Sequence, residues 1–115
     1  MKGSRIMWIE DKSDNGLAGP ARIGRVTFSK TGRSVYYKGK RYASLAGSGY
    51  KANYIEVQTG KRFWISGCHE DGKDALYNTS VEIDEDVRVE YWTEIRKRPE
   101  MLETQSFRAR GKYNR

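Results

Sequence analysis

The sequence predicts a mainly β (α+β) domain: a small SH3-like barrel, or a bent antiparallel sheet, of about five to six strands with one C-terminal helix. Three observations predict it. Short aromatic and β-branched runs alternate with glycine and turn pairs from residue 6 to residue 66, which is the signature of strands and hairpins. The connections between these runs are too short for crossover helices, so neighbouring strands run antiparallel. Finally, the charges around residues 84–98 fall in the order that a helix favours, acidic first and basic last.

The first run, residues 6–10, is rich in Ile and Trp and ends at a loop marked by Asp14-Asn15-Gly16 and Gly19-Pro20. Residues 22–29 form the next strand, with Val26 and Phe28 on one face. Lys30-Thr31-Gly32-Arg33 turns the chain into residues 34–38, which carry Val35, Tyr36 and Tyr37. Adjacent strand residues face opposite sides, so one of Tyr36 and Tyr37 belongs to the core and the other to the surface. Lys38-Gly39-Lys40 is tight enough for a hairpin into Arg41-Tyr42-Ala43-Ser44. Residues 46–52 read as a loop, 53–58 as a strand, and Thr59-Gly60 turns into Lys61-Arg62-Phe63-Trp64-Ile65-Ser66. Closing such a sheet on itself reduces its exposed edges.

Residues 81–98 fit two periods. Val81, Ile83, Val87, Val89, Tyr91 and Ile95 suit a strand, while Val87, Tyr91 and Ile95 also stack at helical spacing with Trp92 beside them. The charges decide for the helix. Asp84, Glu85 and Asp86 complement its N-terminus and Arg96, Lys97 and Arg98 its C-terminus. Asp84 suits the N-cap, Glu94 is spaced to pair with Arg98, and Pro99 lies where a helix stops. The expectation is a strand at 81–83 and a helix from about 85 to 97. Residues 1–98 then form one domain. Residues 99–115, polar and basic at the end, read as a flexible tail.

Composition narrows the function classes. The chain has 115 residues, 37% of them hydrophobic, below the roughly 45–50% of average domains, and aromatics supply 12%. No apolar run approaches the ~18 residues that span a bilayer. One cysteine makes no internal disulfide and no cysteine-based zinc site. The basic start Met1-Lys2-Gly3-Ser4-Arg5 is followed by only Ile6-Met7-Trp8-Ile9 before Glu10, shorter than the 7–15 residues of a secretory h-region. A cytoplasmic protein is expected, and a free Cys68 suits a reducing compartment.

The formal charge of +7 is unevenly distributed. Residues 1–21 are neutral, 22–62 carry +9, 63–96 carry −6 and 97–115 carry +4. Either the basic middle faces an anionic partner, or it pairs with the acidic block inside the fold. Strand order decides between them.

Most catalytic and ligand motifs fail on context. Gly67-Cys68-His69-Glu70-Asp71-Gly72-Lys73 has phosphate-loop spacing, but Asp74 stands where Ser or Thr should hold Mg²⁺, and two acids sit within the cradle. Gly47-Ser48-Gly49-Tyr50-Lys51-Ala52 has dinucleotide-loop spacing, but a strand pattern follows it, not a helix. Cys68 and His69 are adjacent and lack the spread spacing of metal ligands. As a nucleophile pair they would need the fold to bend them together and add an orienting group. We therefore expect no enzyme, no cofactor and no metal.

The basic and aromatic middle remains. Exposed rings beside cations are the chemistry of single-stranded nucleic-acid binding. Lys38, Lys40, Arg41, Lys51, Lys61 and Arg62 are the candidate phosphate contacts, and Tyr37, Tyr50 and Tyr54 the candidate stacking rings. Arg108, Arg110 and Lys112 are candidate contacts from the tail. The competing reading is a protein-interaction module, an adaptor or immunity-like inhibitor, that meets its partner through the acidic helix region, a sheet edge or the tail. The expected partner is nucleic acid or an acidic protein, with no membrane.

The segments Met7-Trp8-Ile9-Glu10-Asp11-Lys12, residues 19–32, Trp64-Ile65-Ser66-Gly67, Ile83-Asp84-Glu85-Asp86-Val87 and Tyr91-Trp92-Thr93-Glu94-Ile95-Arg96 resemble a family of short uncharacterised bacterial proteins, over about residues 7–100. Some members carry the label deoxyxylulose-phosphate synthase. A thiamine-diphosphate synthase is several times longer and needs a Gly-Asp-Gly metal motif, and this chain has Glu70-Asp71-Gly72 instead. The resemblance implies a bacterial, cytoplasmic protein and carries over no functional residues. Members often have an acidic residue at the position of Val89, which a helix accommodates and a half-buried strand does not.

Overall fold

The computed structural model describes residues 3–13, 19–46 and 52–113. Eight strands make one sheet: β1 (Ser4–Asp11), β2 (Ala21–Phe28), β3 (Ser34–Tyr37), β4 (Lys40–Ser44), β5 (Tyr54–Glu56), β6 (Arg62–Gly67), β7 (Thr79–Ile83) and β8 (Ser106–Ala109). The first six pair antiparallel in the order β1-β6-β5-β4-β3-β2, and β1 pairs with β2 to close a six-stranded barrel. The strands expected over residues 6–66, and the three hairpin turns between them, are present; the expected loops at Asp14-Asn15-Gly16 and at residues 47–51 lie outside the described residues. Gly32, Gly39 and Gly60 take positive φ in the three hairpin turns, where a side chain would be strained. β5 is short, and Asn53 lengthens it. Its side-chain amide donates to Ile65 O and accepts from Ile65 N, both at 2.8 Å, in place of a ladder residue.

β1 is buried on both faces, which explains its unbroken Ile6-Met7-Trp8-Ile9 run. Met7 and Ile9 point into the barrel, where they meet Val26, Val35, Tyr37, Tyr42 and Ile65. Ile6 and Trp8 point outward, into a second core with Ile23, Val81, Val87, Tyr91 and Trp92. Burying side chains of this size is worth roughly 1.5–3 kcal/mol each. The second core exists because β7 and a helical segment cover that side of the barrel.

One pairing breaks the antiparallel expectation: β7 lies parallel to β2. The outer edge of β2 is shared, with Thr27 and Phe28 paired to β3 and Ala21–Ile23 paired to β7. β7 reaches that edge after the chain has built the whole barrel, so no tight turn constrains its direction.

The helix is present at residues 85–95: a 3₁₀ turn at Glu85–Val87, an α turn at Arg88–Glu90 and a π turn at Tyr91–Ile95. The widened last turn (Arg96 N to Tyr91 O, 2.9 Å) accompanies the burial of two adjacent rings, Tyr91 and Trp92. The helix stops short of the expected 97, where Lys97 takes φ 54° and Pro99 opens another 3₁₀ turn. Asp84 holds the N-cap position but its side chain makes no cap hydrogen bond. Arg98 pairs with Glu100 at 3.0 Å, not with Glu94.

The segment expected to be a flexible tail differs most. Residues 106–109 form β8 against β7, Phe107 packs on Trp92 with centroids 5.8 Å apart, and Lys112 N and Tyr113 N bond to Ala75 O and Leu76 O. The tail's composition is polar, but β7 offers it a free edge and Trp92 a ring to cover.

Candidate nucleic-acid interface

Folding divides the nine described basic residues of the 22–62 segment into two groups. Four are drawn to carboxylates. Arg22 reaches Asp84 at 2.7 Å and Glu82 at 3.0 Å, Arg25 reaches Glu90 at 2.5 Å, Lys38 lies 3.5 Å from Asp84, and Lys40 lies 3.9 Å from Glu56. Three of these four partners belong to the acidic block. Among the described residues, Lys30, Arg33, Arg41, Lys61 and Arg62 have no carboxylate within ion-pair distance. The acidic block thus neutralises one end of the basic segment and leaves the other end free.

Of the free cations, Arg41 and Arg62 lie on the outer face of the sheet from β3 to the start of β6, while Lys30 and Arg33 stand in the β2–β3 turn and Lys61 in the β5–β6 turn. Cross-strand register fixes the layout. Thr27, Tyr36 and Arg41 make one row, and Ser34, Ala43, Ile55 and Arg62 make the next. Arg41 Nε donates to the buried Ser34 Oγ at 3.2 Å, so its stem lies along the face beside the Tyr36 ring. Tyr36 and Val57 are exposed at 39% and 50%.

Tyr37 is the buried member of the tyrosine pair, which corrects its assignment as a stacking ring. It faces the barrel interior, and its hydroxyl donates to Asp84 Oδ2 at 2.5 Å. Burial and the Asp84 charge push its pKa up, so the phenol stays protonated. Gly24 makes this possible, because a methyl group there would overlap both Asp84 and the Tyr37 ring. Tyr54 is half-buried against the barrel core, and its pKa is raised by that burial. Lys61 and Arg62 are exposed at the β5–β6 hairpin, while Lys38 and Lys40 stand at the barrel mouth with Tyr37. Tyr50 and Lys51 lie outside the described residues. Sequence alternation showed that one ring of Tyr36 and Tyr37 must be exposed. Which of the two it is depends on the room that Gly24 leaves beside the Tyr37 ring, a contact that only the fold brings about.

Arg108, Arg110 and Lys112 are exposed on and just after β8. Arg108 donates to Ser80 Oγ at 3.3 Å. They form a second basic strip on an ordered strand.

The Cys68–His69 neighbourhood is not arranged for nucleophilic chemistry. Burial, and then the Asp74 charge, push the Cys68 thiol up and keep it protonated. The His69 backbone N–H donates to Asp74 Oδ1 at 2.9 Å, while its exposed ring stays 3.9 Å from that oxygen. Asp74 Oδ2 is buried without a hydrogen-bond partner among the described residues. The phosphate-loop spacing falls in an irregular loop with no helix after Lys73, and residues 47–51 of the dinucleotide-loop spacing lie outside the described residues. Among the described residues, no group of three or more potential ligands is placed to hold a metal, and no helix is long and apolar enough to cross a membrane.

The geometry defines a small closed β-barrel with an uncovered face that is cationic and aromatic. No protein-family model, curated protein or solved structure matches the chain.

Proposed function

We propose that the protein is a non-enzymatic nucleic-acid-binding module that uses the outer face of β3–β6. One observation carries the reading: the cations left without carboxylates by folding sit around an exposed Tyr36–Arg41 pair on a bare sheet face. Tyr36 offers a stacking platform, and Arg41, Arg62, Arg33 and Lys61 offer phosphate contacts. Lys38 and Lys40, each near a carboxylate, contribute less.

The test is fluorescence anisotropy with a labelled single-stranded oligonucleotide across a salt series. Log K should fall linearly with log salt, at about −0.7 per phosphate contact. Tyr36→Ala should remove about 1–3 kcal/mol of stacking, roughly a 5- to 150-fold weakening. Binding that ignores salt, or a Tyr36→Ala variant that binds like the parent, would overturn the reading.

A protein-partner reading has its own supporting observation. β8 alone among the described strands has a single neighbour, and Arg108, Arg110 and Lys112 are exposed on it and just after it. An acidic extended peptide could add a strand there. Chemical-shift changes confined to residues 106–113 on peptide addition, with Tyr36 silent, would favour it.

A further inference from the structure

The mouth of the barrel holds a cavity of about 470 Å³, within the roughly 300–1,000 Å³ range of small-molecule sites. It is distinct from the outer face, because strand alternation turns its lining residues the other way. Ile9, Tyr42 and Phe63 supply its apolar wall, and Tyr42 meets Phe63 edge-to-face with centroids 5.0 Å apart. Such a wall suits a flat apolar group.

The charges at the rim are unequal in their engagement. Both acids that line the cavity are already bound: Glu82 accepts from Arg22 at 3.0 Å, and Asp11 accepts from Ser13 N at 2.8 Å. The two lysines are not held so closely. Lys38 Nζ sits 3.5 Å from an Asp84 oxygen that already takes two Arg22 donors, at 2.7 and 3.0 Å. Lys40 Nζ is 3.9 Å from Glu56, beyond hydrogen-bond range. Both side chains are more than half exposed, at 56% and 55%. The Lys38-Gly39 turn has positive φ at both residues, and Lys38 and Lys40 both line the cavity whose apolar wall is Ile9, Tyr42 and Phe63.

We infer that the barrel mouth is a binding site for a small organic anion, with its flat apolar body against Ile9, Tyr42 and Phe63 and its carboxylate or phosphate head between Lys38 and Lys40. Charge-assisted hydrogen bonds from two ammonium groups fix the head, and the edge of the aromatic pair fixes the body. The site does not depend on the nucleic-acid reading, which uses the opposite face of the same strands.

The test is an amide-resolved NMR titration of the full chain with 2-naphthoate and 2-naphthyl phosphate, using uncharged 2-naphthamide as the control. Saturable shifts should centre on Gly39, Tyr42 and Phe63. Naphthamide should bind at least tenfold more weakly, and so should either anion to a Lys38→Ala/Lys40→Ala variant whose spectrum is otherwise unchanged. Preference for the phosphate over the carboxylate would identify the head group without altering the site. Equal binding of acid and amide, shifts centred on Tyr36 and Arg41, or no saturation at any residue would each overturn the inference. The acid–amide comparison is made on the parent protein, so it decides the matter even if the double variant misfolds.

Discussion

Tyr36 and Tyr37 are sequence neighbours placed on opposite sides of one strand, and the choice between them is made elsewhere. Tyr37 turns inward because Gly24 leaves room for its ring and Asp84 waits for its hydroxyl. Asp84 is reached by Arg22 and Lys38 as well, so a residue that reads as a helix cap serves instead to tie β2, β3 and the helix start together. Asp74 is the opposite case, a buried carboxylate with one oxygen short of a donor. Burial pushes its pKa up, against the pull of the His69 backbone N–H. Between its unfolded pKa, about 3.9, and its higher folded value, the native state holds more protons than the unfolded one. Stability is therefore lost as pH rises through that window. Asp74→Asn keeps an oxygen for the His69 N–H and removes the titration. Its stability relative to the parent, measured by urea unfolding, should be more favourable at pH 5.5 than at pH 3. A difference that stays flat or runs the other way would show that Asp74 is not desolvated.

At the scale of elements, the barrel strands were legible because each is bounded by a turn whose residues announce it. The helix was legible through its charge order, although the same residues also fit a strand. β8 was not legible. Ser106-Phe107-Arg108-Ala109 offers one ring and no sustained alternation, and what makes it a strand is distant in sequence: the edge of β7 and the Trp92 ring. Its pairing partner lies about 27 residues away, with the helix between. The parallel join of β7 to β2 is hidden for the same reason. If β8 is integral, Phe107→Ala should cost on the order of 2 kcal/mol, since the ring is partly buried against Trp92. A flexible tail would show no change. Urea midpoints of the variant and the parent, at constant m, distinguish the two.

For the whole molecule, the net charge of +7 is a poor guide to where an anion would bind. The body is flattened, 38 × 37 × 20 Å, so it presents broad faces, and folding distributes the charges unequally among them. The acidic block folds against β2 and the β3–β4 turn and pairs closely with Arg22 and Arg25 there, while Lys38 is held only loosely at 3.5 Å. Arg41 and Arg62, from the same basic segment, stay free because β4 and β6 turn them to the uncovered side. Substitutions that each remove one positive charge should therefore behave differently by location. Arg62→Ala should leave stability nearly unchanged, Arg41→Ala should cost only the one Ser34 hydrogen bond, about 1 kcal/mol, and each should reduce the salt slope of oligonucleotide binding by about 0.7. Arg22→Ala should leave that slope alone and cost on the order of 2 kcal/mol of stability, because Asp84, only 4% exposed, loses two charge-assisted donors. If all three variants reduce the slope equally, binding follows net charge and the outer face has no special role. If none does, the free cations are serving solubility alone.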